Sequence, residues 1–214
     1  MKFTKEFKEA ISHLSSKEKD KLLFRLLKKD HILAKRLEFE LLSTESIEEK
    51  RLAMEERIKE RVKEFCENYY SLGYLNMDIR FLSGEITEYV KVTKDKFGEA
   101  SLNLLLLKEV LTHANPHLSH AKWNTKFIKI GVALLARVFK ILCLIEKLDQ
   151  DYFIEFEENL HKTGQLLGQY PKLMKMAIRC GLDVNWLLQG NIPENISEMY
   201  KHVRAEGYLS ARNY

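Results

Sequence analysis

The sequence predicts an all-α protein, an irregular stack of antiparallel helix pairs that reads as solenoid-like or as a multi-helix bundle. Three observations predict it. Only 9 Gly and 3 Pro occur in 214 residues, whereas sheet-rich folds need turn residues every ~8–12 positions. Apolar residues return at intervals of three and four along most of the chain, the spacing of one helix face. The composition is 45% hydrophobic and 31% charged. That is too apolar for disorder, and the chain is long enough to bury roughly 70% of the surface it exposes when unfolded.

The elements follow in order. Phe3, Phe7, Ile11 and Leu14 share one face of a short helix. Ser15-x-x-Glu18 forms a capping box, in which each side chain takes an orphan N–H near the other residue. The helix it opens carries Leu22, Leu23, Leu26 and Leu27 and ends near Lys28 and Lys29, cations suited to a helix C-terminus. Asp30 can cap a third helix holding Leu33, Leu37 and Leu41. Ser46-x-x-Glu49 opens a long charged helix with a seam from Ile47 through Met54, Ile58, Val62, Phe65 and Tyr69 to Leu72, closed by Gly73.

Residues 76–94 admit two readings. Ile79, Leu82, Ile86 and Val90 fit a helix capped by Asn76, while Ser83-Gly84 between β-branched residues fits a hairpin. The helical neighbours favour the helix. Residues 98–113 form an apolar helix stopped at Asn115-Pro116. Residues 121–147 read as the central helix, apolar around most of its circumference. Helices at 151–167, 171–180 and 184–189 follow, and Asn195-x-x-Glu198 opens a last one that stops at Gly207. The tail YLSARNY has no pattern and is expected to be loose or docked on a partner. Residues 1–68 carry 17 basic and 15 acidic side chains, while the longer 69–214 carries 18 and 16. This shift suggests a charged helical subdomain over 1–72 and an apolar helical core over 73–214.

Lys+Arg exceed Asp+Glu by 35 to 31, a mild excess beside that of dedicated nucleic-acid domains. Cys66, Cys143 and Cys180 are odd in number and far apart, so no disulfide framework is implied. The opening MKFTKEFKEAISHLSSKEK is dense in charge and has no signal-like apolar run. The longest apolar stretch, 128–145, contains Lys129, Arg137 and Lys140, which a membrane span tolerates poorly. No membrane is expected, and a reducing cytoplasm is the expected location.

A basic stripe is the most interesting candidate site. Lys122, Lys126, Lys129, Arg137, Lys140 and Lys147 fall within roughly 80° of one another at helical spacing. They read as an anion-binding ridge for phosphates, or as the solvated face of a buried helix. The acidic segment EKLDQDYFIEFEEN, folded back antiparallel, would neutralise much of the ridge. His113, His117 and His120 cluster in LTHANPHLSH, and imidazoles this close can bind Zn²⁺. Pro116 breaks the helix between them, and no cysteine or spaced carboxylate completes the set, so solvated loop histidines are the plainer reading.

Glu158-x-x-His161 matches half of a carboxylate-bridged di-metal motif whose second copy is missing. Cys143 among Leu142, Leu144 and Ile145 reads as an inert core thiol, and Cys66 has no histidine near it in sequence. No GxSxG, GxxxxGK[ST], GxGxxG or HExxH occurs. The charged helix near 46–72 is explained by intramolecular packing, with a coiled-coil dimer as the alternative. Trp123, Trp186, Tyr200, Tyr208 and Tyr214 read as core or rim residues rather than stacking platforms. No cofactor is implied.

The order of features, FKEAISHLSSKEKDKLLFRLLKK, then a charged helix ending in GYLN, then paired apolar helices, resembles an uncharacterised bacterial family of all-helical proteins. The resemblance implies a helical fold and carries no activity and no functional residues. The function expected from the residues is a non-enzymatic scaffold or adaptor for a protein partner in a bacterial cytoplasm. The alternatives are nucleic-acid or other polyanion binding through the stripe, and a metal-dependent enzyme using the three histidines.

Overall fold

The structure, a computed structural model, describes residues 2–214. Among them are twelve α-helices, two short 3-10 turns and no strand. The all-α class is as the sparse turn residues and three-to-four spacing require.

The chain divides into two compact units. The first comprises residues 2–44 with Lys91–Thr93. It holds α1 (Lys5–Ser12), α2 (Ser16–Leu27) and α3 (His31–Leu42). Thr4 caps α1 at the Phe7 N–H, and Asp30 caps α3 at the Leu33 N–H, 3.0 Å away. Ser15 and Glu18 form the expected capping box, with the Ser15 N–H donating to Glu18 at 2.9 Å. These helices bury no side chain in full. Phe7, Phe24, Leu41 and Leu42 stand exposed.

The second unit, Glu45–Val90 and Lys94–Tyr214, contains the hydrophobic core. Helix α4 (Ile47–Glu67) starts at the Ser46/Glu49 capping box and buries Met54, Ile58, Val62 and Cys66 along one stripe. It ends at Asn68, not at Gly73. Gly73 lies instead in the first turn of α5 (Leu72–Thr93), which Ser71 caps. The hairpin reading of 76–94 is therefore wrong: Ser83 and Gly84 sit mid-helix, and Ser83 Oγ donates back to the Ile79 carbonyl. Its buried residues, Leu75, Ile79, Leu82 and Ile86, follow the helical period.

Helix α6 (Lys96–His113) packs against α4, α8 (Thr125–Ile145) and α9 (Ile154–Gly168). It is the central helix, a place the sequence assigned to residues 121–147. Leu102, Leu104, Leu106, Leu107, Val110 and Leu111 are buried over more than half of its circumference, each leucine worth about 1.5–3 kcal/mol of apolar transfer. Residues 115–119 do not simply stop it. Ala114 ends α6, and Asn115–Ser119 form a further turn, α7, with Pro116 in its first turn, where a missing N–H costs nothing.

Helix α8 buries its Phe127, Gly131, Leu134, Val138 and Ile145 side. Two shorter helices, α10 (Pro171–Arg179) and α12 (Ile196–Ala205), pack on it, and Tyr200 of α12 stacks on Phe139 at 5.5 Å. Gly131 permits the α10 crossing. A Cβ there would stand 2.7 Å from the Met176 sulfur. Helix α11 (Asn185–Leu188) packs on α9. The carboxyl-terminal tail is not loose. Residues Ala211–Asn213 form a 3-10 turn against α8, and the Tyr214 ring lies under the Arg179 guanidinium at 4.7 Å. No described helix is long and apolar enough to cross a membrane.

Candidate anion-binding face

Helical spacing puts the six stripe cations on one side, but packing sorts them into different fates. Lys122 precedes α8 and Lys147 follows it. Arg137 points inward: one guanidinium nitrogen donates to Asn103 of α6 at 2.9 Å, and another donates to Ser83 of α5. Its Nε is buried without a hydrogen-bond partner. Burial pushes the guanidinium down to about 10, still positive at neutral pH. Lys140 pairs with Glu99 of α6 at 3.1 Å. Arg137 and Lys140 thus fasten α8 to its neighbours. The acidic segment expected to cover the stripe runs from the C-cap of α8 through a 3-10 turn (Gln150–Tyr152) into α9, which packs on α6, α10 and α11. Its carboxylates make no ion pair with the stripe among the described residues.

Lys126 and Lys129, at the amino-terminal end of α8, remain exposed and make no ion pair among the described residues. A second group of cations, which the stripe did not include, lies on α10, the helix that packs on α8. Pro171 starts α10, and Leu173, Met176 and Ala177 turn inward at intervals of three and four. The same periodicity turns Lys172, Lys175 and Arg179 away from the core. Gly181, at φ +71°, ends the helix, with the Leu182 N–H reaching back to the Ala177 carbonyl at 3.0 Å. Lys172 donates to the carbonyls of Ser119 and Ala121, and its ammonium lies 5.9 Å from the Phe127 ring. Lys175 lies 5.8 Å from the Trp123 ring, which itself leans on Phe127 at 5.8 Å. Trp123 is 42% exposed.

Lys122, Lys126, Lys129, Lys172 and Lys175 therefore lie in two segments that contain no carboxylate, and none of the five makes an ion pair among the described residues. The reason is legible in the chain: residues 110–145 contain no Asp or Glu, and neither do residues 159–182. The packing of α10 on α8 brings the two acid-free segments together. A phosphate approaching this face meets no acidic side chain of either segment. Beside it, a cleft of about 150 Å³ opens between α7 and α10, walled by Leu118, Phe127, Tyr170 and Pro171. A second groove, of about 200 Å³, joins α4, α6 and α9 but mixes Lys59 and Lys108 with Glu55 and Glu155.

The histidines do not assemble. His113 Nε2 faces Glu109 at 3.4 Å. His117 stacks on Tyr69 at 3.8 Å, and its Nε2 bonds the Cys66 carbonyl at 2.9 Å. His120 Nδ1 bonds the Pro116 carbonyl at 3.0 Å. Among the described residues no three His, Cys, Asp or Glu side chains come together as a metal site. His117 is thus a tie between α7 and α4, and it lies near Cys66 in space though not in sequence. His161 and Glu158 are also committed separately, to the Leu188 carbonyl and to Lys162. All three thiols are buried. Burial raises the pKa of each, that of Cys66 to about 12, so none is a thiolate nucleophile at neutral pH. Comparison with family models, curated proteins and solved structures finds no match to this chain.

Proposed function

We propose that the protein is a non-enzymatic helical binding module for nucleic acid, with the face formed by the start of α8 and by α10 as its phosphate-binding surface. The observation that carries this reading is the pairing of two carboxylate-free segments, which leaves Lys122, Lys126, Lys129, Lys172 and Lys175 with no opposing acid. Uncompensated lysines hold phosphates by releasing condensed counterions, so affinity falls with salt. Five engaged lysines correspond to a slope of about −3.5 to −4.5 in log K against log salt. Fluorescence anisotropy of a labelled oligonucleotide across a salt series tests it. Binding that steepens in this way supports the reading, and no binding at low salt removes it.

A second reading, that the protein is an adaptor for a protein partner, draws on the first unit. There Phe7, Phe24, Leu41 and Leu42, large apolar side chains on three helices that bury no side chain in full, lie exposed. A photo-crosslinker placed at Phe24 in cells would yield one discrete protein adduct under this reading, and a featureless smear would count against it.

A further inference from the structure

We propose that the face binds single-stranded rather than duplex nucleic acid, stacking one unpaired base on Trp123 and admitting another to the cleft between α7 and α10. This rests on the nucleic-acid reading above and narrows its ligand. Phosphates alone do not distinguish a single strand from a duplex; what lies between the lysines does. The Trp123 indole is exposed, tilted against Phe127 at 5.8 Å and with the Lys175 ammonium over its ring at 5.8 Å. That ammonium sits at the end of a flexible, exposed stem and is free to swing onto a phosphate, clearing the ring for a base. Every base has a π-face, so such a platform accepts any sequence. Inside a duplex the bases are already stacked and hidden from it.

The cleft adds a second, independent feature. It shares Phe127 and Lys172 with the Trp123 surface and encloses about 150 Å³. That is below the ~300–1,000 Å³ of pockets for drug-sized ligands and suits a single planar ring. Its walls are apolar, and Tyr170 is not available to a ligand because its hydroxyl donates to the Leu111 carbonyl. Gln169 also lines the cleft; its backbone N–H donates to the Leu166 carbonyl, while its exposed side-chain amide makes no hydrogen bond among the described residues. A free amide offers one acceptor and two donors, the set that reads the edge of a base splayed out of a strand.

The test uses the full chain and a labelled strand of about 12 nucleotides, within the ~4–16 that one single-strand module covers. The strand is presented alone as DNA, alone as RNA, and annealed to its complement. The single strands should bind at least about tenfold more tightly than the duplex, since each stacked base is worth ~1–3 kcal/mol. Trp123→Ala should remove about that tenfold from single strands and leave the duplex unchanged, and Trp123→Phe should restore most of it. Gln169→Ala should weaken single strands by a smaller factor. A strand made abasic throughout should bind wild-type protein no better than the duplex does. Equal affinity for duplex and single strand, or a Trp123→Ala loss shared by both, overturns the single-strand inference while leaving phosphate binding intact. Binding of neither form overturns both.

Discussion

Two basic surfaces of the second unit use the same residue types to opposite ends. On α4 the cations are matched. Arg57 pairs with Glu85 of α5, Lys59 with Glu56, Arg61 with Glu64, and Arg51 with Asp95. On α8 and α10, Lys126, Lys129 and Lys175 meet no carboxylate. The difference is one of neighbours, because α4 alternates signs along its own sequence whereas 110–145 and 159–182 supply none. Charge on α4 is therefore spent inside the molecule, and charge on the α8–α10 face is left for something outside it.

The largest expected effect lies on the matched side. Asp95 caps α6 at the Gly98 N–H, 2.7 Å away, and also accepts from the Tyr89 hydroxyl at 2.7 Å and from Arg51 at 3.3 Å. Asp95→Ala removes a cap worth ~0.5–2 kcal/mol and orphans partly buried donors at ~1–3 kcal/mol. Thermal or denaturant unfolding should show a loss of about 3 kcal/mol. Lys126→Ala and Lys175→Ala should each stay within about 0.5 kcal/mol of wild type, as surface changes do. A comparable loss from either lysine would break the contrast.

An intermediate effect is expected at Lys140, the stripe residue that crosses from one category to the other. Its pair with Glu99 is partly exposed, so Lys140→Ala should cost no more than about 1 kcal/mol. It should also leave oligonucleotide affinity nearly unchanged, because this lysine is already engaged. A large loss of affinity would show that the free face extends further along α8.

The thiols sharpen the comparison differently. Cys66 lies on α4, and Cys180 follows α10 under the basic face. Burial raises the thiol pKa at both positions. Neither should react with a thiol reagent at neutral pH until the protein unfolds. Rapid native-state labelling of Cys180 alone would show that the basic face reaches its sulfur.

The smallest effect is at Glu49, where α4 begins. Hydrogen bonds from the Ser46 backbone and hydroxyl hold this carboxyl below the usual range. A carboxyl with a lower pKa folded than unfolded stabilises above the unfolded value of about 4.3 and ceases to as pH falls through the folded one. The Tm gap between wild type and Glu49→Gln should be present at neutral pH and close in acid. A gap independent of pH would rule out the ionised cap.

The helices were legible because apolar period and capping chemistry are local. Ser15/Glu18 and Ser46/Glu49 form as written, and Asp30 caps as expected. What depends on tertiary neighbours was less so. Gly73 resembles a helix terminator, but Ser71 offers its side chain to the Tyr74 N–H and starts α5 instead. The centre of the unit is α6 rather than α8, because α6 packs on α4, α8 and α9, with Glu99, Lys108 and Glu109 half-buried and Asn103 buried, while Lys126 and Lys129 of α8 are exposed. The basic stripe was visible at six helically spaced positions, four of which lie on α8. Its division into inward-facing Arg137, paired Lys140 and free Lys126 and Lys129 needs α5 and α6 in place. Lys172 and Lys175 were missed because they lie some forty residues away, although the two acid-free segments are apparent once the chain is scanned for missing carboxylates rather than for clustered lysines.

The central claim is tested most directly by exchanging charge on the two surfaces in parallel. Lys126→Glu/Lys129→Glu/Lys175→Glu is compared with Lys59→Glu/Arg61→Glu/Lys63→Glu for affinity toward one labelled oligonucleotide at fixed low salt. The reversal on α8 and α10 should lower affinity at least about a hundredfold and flatten the salt slope by about three, while the reversal on α4 should change affinity by no more than a few-fold. Equal losses from the two triple variants would contradict the account, because binding would then follow net charge and not this face.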